Sequence, residues 1–127
     1  MQDRPSADEL LEALAEFLDS EVIPAFEGRK RFHAIVAANV ARITAREFRL
    51  GPAQREVEVD ELRTLLGDAG KEPTSEALLA KLNAELCACI ERGDADGGAF
   101  RAAALAFLRR ATERKLAIDD PKRLSGR

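Results

Sequence analysis

RKRFHAIVAANVARITAREFRL, residues 29–50, decides the fold. Wound as a helix at about 100° per residue, it gathers Phe32, Ile35, Val36, Val40, Ile43 and Leu50 on one face. Ala34, Ala37, Ala38, Ala41, Ala45 and Phe48 fall on the opposite face. A helix that is wet on one side has no use for two apolar faces, whereas a helix enclosed by neighbours does. The alanines would let another backbone approach closely. The stretch therefore predicts the central rod of a helical bundle, walled in by its companions and leaving little room for chemistry.

Toward the N-terminus, Ser6 followed three residues later by Glu9 fits a capping box. Asp8 and Glu9 suit the positive end of the helix dipole. Leu10, Leu11, Leu14, Phe17, Leu18 and Val22 form an apolar face, and Glu9, Glu12, Glu16 and Asp19 line the other. Pro24 ends or kinks this first helix, because its ring clashes with the preceding turn and its nitrogen donates no hydrogen bond. Gly28 closes the connection. Charge adds a topological cue. Residues 7–27 hold seven acids (Asp8, Glu9, Glu12, Glu16, Asp19, Glu21 and Glu27) and no Lys or Arg. Residues 29–50 hold Arg29, Lys30, Arg31, Arg42, Arg46 and Arg49 against Glu47 alone. Two helices joined by a short turn pack antiparallel. Each exposed ion pair between them is worth only about 0–1 kcal/mol, so charge selects the pairing and apolar burial stabilises it.

Toward the C-terminus, Gly51-Pro52 is expected to stop the central helix, with Pro52 in the first turn of a shorter third helix. That helix carries Val59, Leu62, Leu65 and Leu66, and leaves Val57 off its face. GDAGKEP, residues 67–73, is a loop. Thr74 or Ser75 caps a fourth helix whose face is Leu78, Leu79, Leu82, Leu86, Cys89 and Ile90. After a second loop at Gly93 to Gly98, a fifth helix runs from about Ala99 to Ala117. Phe100, Ala104, Phe107, Leu108 and Ala111 make its main face, and Leu105 and Leu116 a narrower second line. Asp119, Asp120 and Pro121 break it. Nothing reads as a strand. The expectation is an all-α, compact, up-and-down five-helix bundle, a single domain over residues 1–127 with flexible ends at 1–5 and 119–127.

Composition narrows function. A chain of 127 residues buries roughly two-thirds of its unfolded surface, enough for a core without staples. A net charge of −3 is small and of the wrong sign for nucleic acid. No apolar run approaches the roughly 20 residues that span a bilayer, and MQDRPSADEL lacks a secretory layout. Two cysteines, taken as reduced thiols, fit the cytoplasm.

The conspicuous residues have bland and functional readings. Asn39 lies within the larger apolar face, where a buried amide must find a partner or cost about 1–3 kcal/mol. The bland reading bonds it to a neighbouring helix and fixes register. The functional one puts it in a pocket with Arg42, Arg46 and Arg49, which at three- and four-residue spacing would hold a phosphate or carboxylate. More simply, those arginines face the acids of the first helix. His33 is the sole histidine, and Glu47, fourteen residues away, cannot reach it. A lone His is weak evidence for a metal or a general base. Cys87 and Cys89 point to nearly opposite sides of a helix and cannot share a zinc or a disulfide there. Asp94 to Gly98 begins like a calcium loop, but Ala99 replaces the required glycine and no Glu sits twelfth. Arg109, Arg110, Arg114 and Lys115 suit the negative end of the last helix's dipole. No catalytic residue, metal or cofactor is expected. Val57, Leu105 and Leu116, left over from their helices' main faces, are candidates for contact with a protein partner.

The opening run to Pro52, above all MQDRP and FHAIVAANV, resembles an uncharacterised bacterial family, a small domain of unknown function; KLNAELCACIERG and ERKLAIDDPKR are similar too. Members of that family are typically encoded beside, and sometimes joined to, aminoglycoside-phosphotransferase-like kinases and acyl-CoA dehydrogenases. The resemblance implies an accessory role in acyl-CoA or related small-molecule metabolism and carries over no catalytic residues. The expected partner is a kinase-like or acyl-CoA-dehydrogenase-type enzyme, or a second copy, with no nucleic acid and no membrane. The alternative is a binder of an anion or acyl-CoA-type ligand, or an enzyme, with a pocket near Asn39, Arg42 and Arg46.

Overall fold

A computed structural model describes residues 3–126. Met1, Gln2 and Arg127, which belong to the ends expected to be flexible, lie outside the described residues. The chain is all-α, with no strand among the described residues. Four α-helices form it: α1 (Ala7–Phe17), α2 (Gly28–Leu66), α3 (Glu76–Glu91) and α4 (Gly98–Asp119). The expected five become four because Gly51-Pro52 does not stop the second helix; α2 runs through it for 39 residues. Proline there gives up the bond its N–H would make to the Phe48 carbonyl. Both Pro52 and Phe48 are exposed, so the interruption lies on the open side of the helix and not against a core. The dipeptide marks a different boundary. The contacts divide the chain into two compact units, one of residues 1–51 with 117–127 and one of residues 52–116.

In the first unit, α1 is capped as its sequence directs: the Ser6 N–H donates to the Glu9 carboxylate at 2.8 Å. Its last turn widens into a π-turn over Leu18–Val22, and Pro24 sits in a 3-10 turn that ends the run. Gly28 opens α2 with φ at 59°, a conformation that favours glycine. The core between the helices is made of small side chains. Ala15 of α1 and Ala34, Ala38, Ala41 and Ala45 of α2 are buried, and Ile118 joins them from the end of α4. This corrects the view of α2 as a rod enclosed on all sides. One alanine stripe is covered, whereas Ala37 is exposed, and so are Phe32 (62%), Ile35 (38%), Val36 (41%), Val40 (56%) and Phe48 (59%). The apolar face of α1 divides in the same way. Leu11, Leu18 and Val22 are half-buried, while Leu10, Leu14 and Phe17 stand in the open.

The second unit has a conventional core. Val59 and Leu62 of α2 meet Leu78, Leu82 and Leu86 of α3 and Ala104, Phe107 and Ala111 of α4 in one buried cluster. Ser75 caps α3, its hydroxyl accepting from the Leu78 N–H at 3.1 Å. The half-buried Arg63 side chain donates to the Glu72 carbonyl at 2.8 Å and tacks down the loop after α2.

Because Pro52 is exposed and interrupts the helix without filling a core site, Pro52→Ala restores one backbone bond. Against this, alanine frees the unfolded chain. The net expectation is a gain of about 1–2 kcal/mol, measured as a higher urea midpoint at unchanged m-value. A loss would show that the ring itself packs.

Candidate functional site

The three residues that the sequence singles out for a ligand, Asn39, Arg42 and Arg46, do line one hollow. It measures about 620 Å³ and is completed by Asp19, Ile43 and the stretch Asp119 to Lys122. One turn apart on α2, the three side chains share a flank, and the buried Ile118 holds the end of α4 against it. The charges nearly cancel. Arg42 pairs with Asp19 of the π-turn. Arg46 turns to backbone: its Nε donates to the Ile118 carbonyl at 2.5 Å and an Nη to the Asp119 carbonyl at 3.4 Å. A cation on the last carbonyls of α4 satisfies groups that have no partner inside the helix and offsets the dipole. Asn39 is exposed, not buried as its place in the apolar face suggested, because that face of α2 is itself open. The Asn39 amide, the Lys122 ammonium and the Asp119 carboxylate are, among the described residues, the side-chain polar groups of the hollow without a partner.

Arg49 is outside the hollow. It bridges Asp8 at 3.2 Å and Glu12 at 3.5 Å. Hydrogen bonds from the Ser6 hydroxyl and then from Arg49 hold the Asp8 carboxyl below its ordinary value. Arg42 and Arg49 thus form the stripe that faces the acids of α1, and they fix an antiparallel register. Arg46 is the exception.

The other sequence candidates scatter. His33 is exposed, accepts from the Arg29 Nε at 3.3 Å and meets Phe32 edge-on. Cys87 is exposed and Cys89 half-buried, both as free thiols. In the Asp94–Gly98 loop, Asp94 bridges Arg92 at 2.8 Å. Among the described residues no three His, Cys, Asp or Glu side chains converge as metal ligands. Val57 and Leu105 are exposed and Leu116 is half-buried.

A cluster in the second unit escaped the sequence reading. Glu61 of α2 receives Arg110 and Arg114 of α4, each at 2.6 Å. The two arginines, four apart, point the same way, and that spacing is the signal the sequence holds, although the helix dipole alone also accounts for bases there. Glu61 and Arg110 border a groove of about 710 Å³ whose wall is apolar, from Leu65 to Phe100, Ala103 and Phe107. A second groove, of about 450 Å³, runs along α3 and α4, where Ile90, Leu105 and Leu108 are exposed.

Comparison with known families decides the affiliation. Residues 24–123 match the model of a domain of unknown function, DUF6285. The chain belongs to this family. The DUF6285 match takes in FHAIVAANV, the alanine stripe, the hollow's α2 residues and the Glu61 cluster; α1 and the opening MQDRP precede it. No curated protein and no solved structure matches the chain at significance.

Burial pushes the Glu61 carboxyl up, but the hydrogen bonds from Arg114 and Arg110 outweigh it, and the net position lies below the ordinary value of 4.5. A carboxyl depressed in the folded state adds stability above its unfolded value, and that stability is lost as pH falls through the folded one. The wild-type chain should therefore lose stability as pH drops below about 4.5. Glu61→Gln should be less stable at pH 7 and flatter across that acid window in urea titrations. Equal slopes in the two proteins would remove Glu61 as the source.

Proposed function

We propose that this DUF6285 chain is a non-enzymatic interaction module that docks a phosphotransferase-like kinase or an acyl-CoA-processing enzyme, or a second copy of itself. The observation that carries the reading is the amount of large apolar side chain left outside both cores. Soluble monomers seldom expose contiguous apolar patches beyond a few hundred Å², and larger ones mark contact sites. In the second unit Leu105, 56% exposed, stands beside Ile90 and Leu108 along the smaller groove. Such a cluster, bordered by the charged Asp96 and Arg101, has the apolar centre and polar rim of a docking site. Val57, on α2 away from that groove, and Leu116 are the further contact candidates. Of the hollow's two arginines, Arg42 already holds a carboxylate and Arg46 a pair of carbonyls, which favours binding over catalysis.

In a pull-down with a kinase-like or an acyl-CoA-dehydrogenase-type enzyme, Leu105→Glu should abolish retention while leaving the far-UV circular dichroism unchanged. Retention of neither enzyme by the wild-type chain would count against an enzyme partner.

A second reading has one observation of its own. Asn39, Arg42 and Arg46 do share a hollow, and Asn39 and Lys122 there are free to receive an anion, with the Asp119 carboxylate as the one unpaired group that opposes it. A phosphorylated metabolite or a CoA ester would compete with Asp19 for Arg42. Thermal-shift measurements should then show stabilisation by mass action that Asn39→Leu removes. No shift with any of these ligands would eliminate the pocket.

A further inference from the structure

The first unit is short of a core. Among the described residues its buried apolar side chains are five alanines and Ile118, whereas Val59, Leu62, Leu82 and Phe107 fill the second unit. The large apolar side chains of α1 and the first half of α2 are mostly outside. From the outer face of α2 they continue around one flank. Arg42 and Arg49 join α2 to Asp19, Asp8 and Glu12 along one side of the helix pair. At about 100° per residue, Phe48 of α2 and Leu10, Leu14 and Phe17 of α1 fall on the other side. That side meets the outer face of α2 at Val40, and Val36 and Phe32 extend it. These seven side chains, each offering roughly 100 Å², expose about 700 Å², close to what one partner contributes to a standard interface.

We infer that this face pairs with the same face of a second copy of the chain, so that two α1–α2 hairpins complete a four-helix bundle. The inference rests on the reading of the chain as an interaction module and names its partner. Three features point to a copy. The first is the spacing on α2: Phe32, Val36, Asn39 and Ile43 follow one another at four, three and four residues, the repeat of a helix that packs along another helix. The second is Asn39 itself, one exposed polar residue between Val36 and the half-buried Ile43, at the edge where the apolar face meets the hollow. Such an asparagine costs stability and specifies register in self-paired helices. The third is charge. Among the described residues Glu16, Glu21 and Glu27 have no basic partner, and Arg29, Lys30 and Arg31 have no acidic one. A two-fold pairing uses one patch twice, so it requires a surface that carries both members of each contact. The hairpin carries both signs.

Sedimentation of the full chain from low to high micromolar concentration tests this. The expected species has twice the chain mass. Val36→Glu combined with Val40→Glu, both at exposed positions, should weaken the dimer at least ~100-fold by burying carboxylates without partners, with helicity unchanged. Leu105→Glu should leave the dimer intact. A dimer that survives the α2 substitutions, or that Leu105→Glu dissolves, overturns the pairing and leaves the module reading standing. A wild-type chain that stays monomeric throughout also overturns it, and the enzyme pull-down then decides the module reading separately.

Discussion

Close approach of α1 to α2 over alanine is the constraint from which the first half of the molecule follows. With Ala34, Ala38, Ala41 and Ala45 all buried on one stripe, the helices can come near enough for Arg42 and Arg49 to reach the acids of α1. The same choice limits what the contact is worth. Apolar burial stabilises by about 25 cal/mol per Å², and an alanine methyl has little area to give. Larger residues on this stripe would push the helices apart and break the ion pairs. The hairpin therefore keeps its large apolar residues on other faces, where the chain's own helices leave them exposed.

Arginine does the connecting work in both units, and each use follows from the shape of its head group. A planar fork with five donors can take two carbonyls, as Arg46 does at the end of α4, or two carboxylates, as Arg49 does on α1. At Glu61 the arrangement is inverted, and one carboxylate serves two arginines. The side chain of Glu61 is only 23% exposed and that of Arg114 16%, so this cluster is screened less by solvent than the pairs along α1. It is the better candidate for an ionic contribution to stability.

Much of this was legible in the sequence. Helical periodicity gave the all-α class, the acidic first helix and basic second gave their antiparallel pairing, and Ser6, Ser75 and Gly28 marked true boundaries. Three readings failed for physical reasons. Gly51-Pro52 reads as a stop because proline removes a hydrogen bond, yet a helix tolerates one missing bond on its open side. The apolar face of α2 reads as core because periodicity reports that a face is apolar and not what covers it. Asn39 inherits the same error, since its burial was deduced from that face. The grooves of the second unit were invisible, because a groove depends on how Phe100 and Leu65 are spaced across two helices, and no local pattern encodes that distance.

The contrast between the two halves bears on function. The second unit buries Phe107, Leu62, Leu82 and Val59 almost completely and has a core large enough to order its three helical segments. The first is a hairpin, and isolated helical segments of such length are marginal in water without tertiary packing. Natural sequences are under pressure to remove solvent-exposed phenylalanine and valine that serve nothing, since such surface promotes non-specific association. A face that keeps Phe17, Phe32, Val36, Val40 and Phe48 and has one exposed asparagine at its edge combines affinity with a device against slippage. Affinity alone would be met by leucine at position 39. The polar residue makes sense where one alignment of the partner must be chosen over its neighbours one turn away.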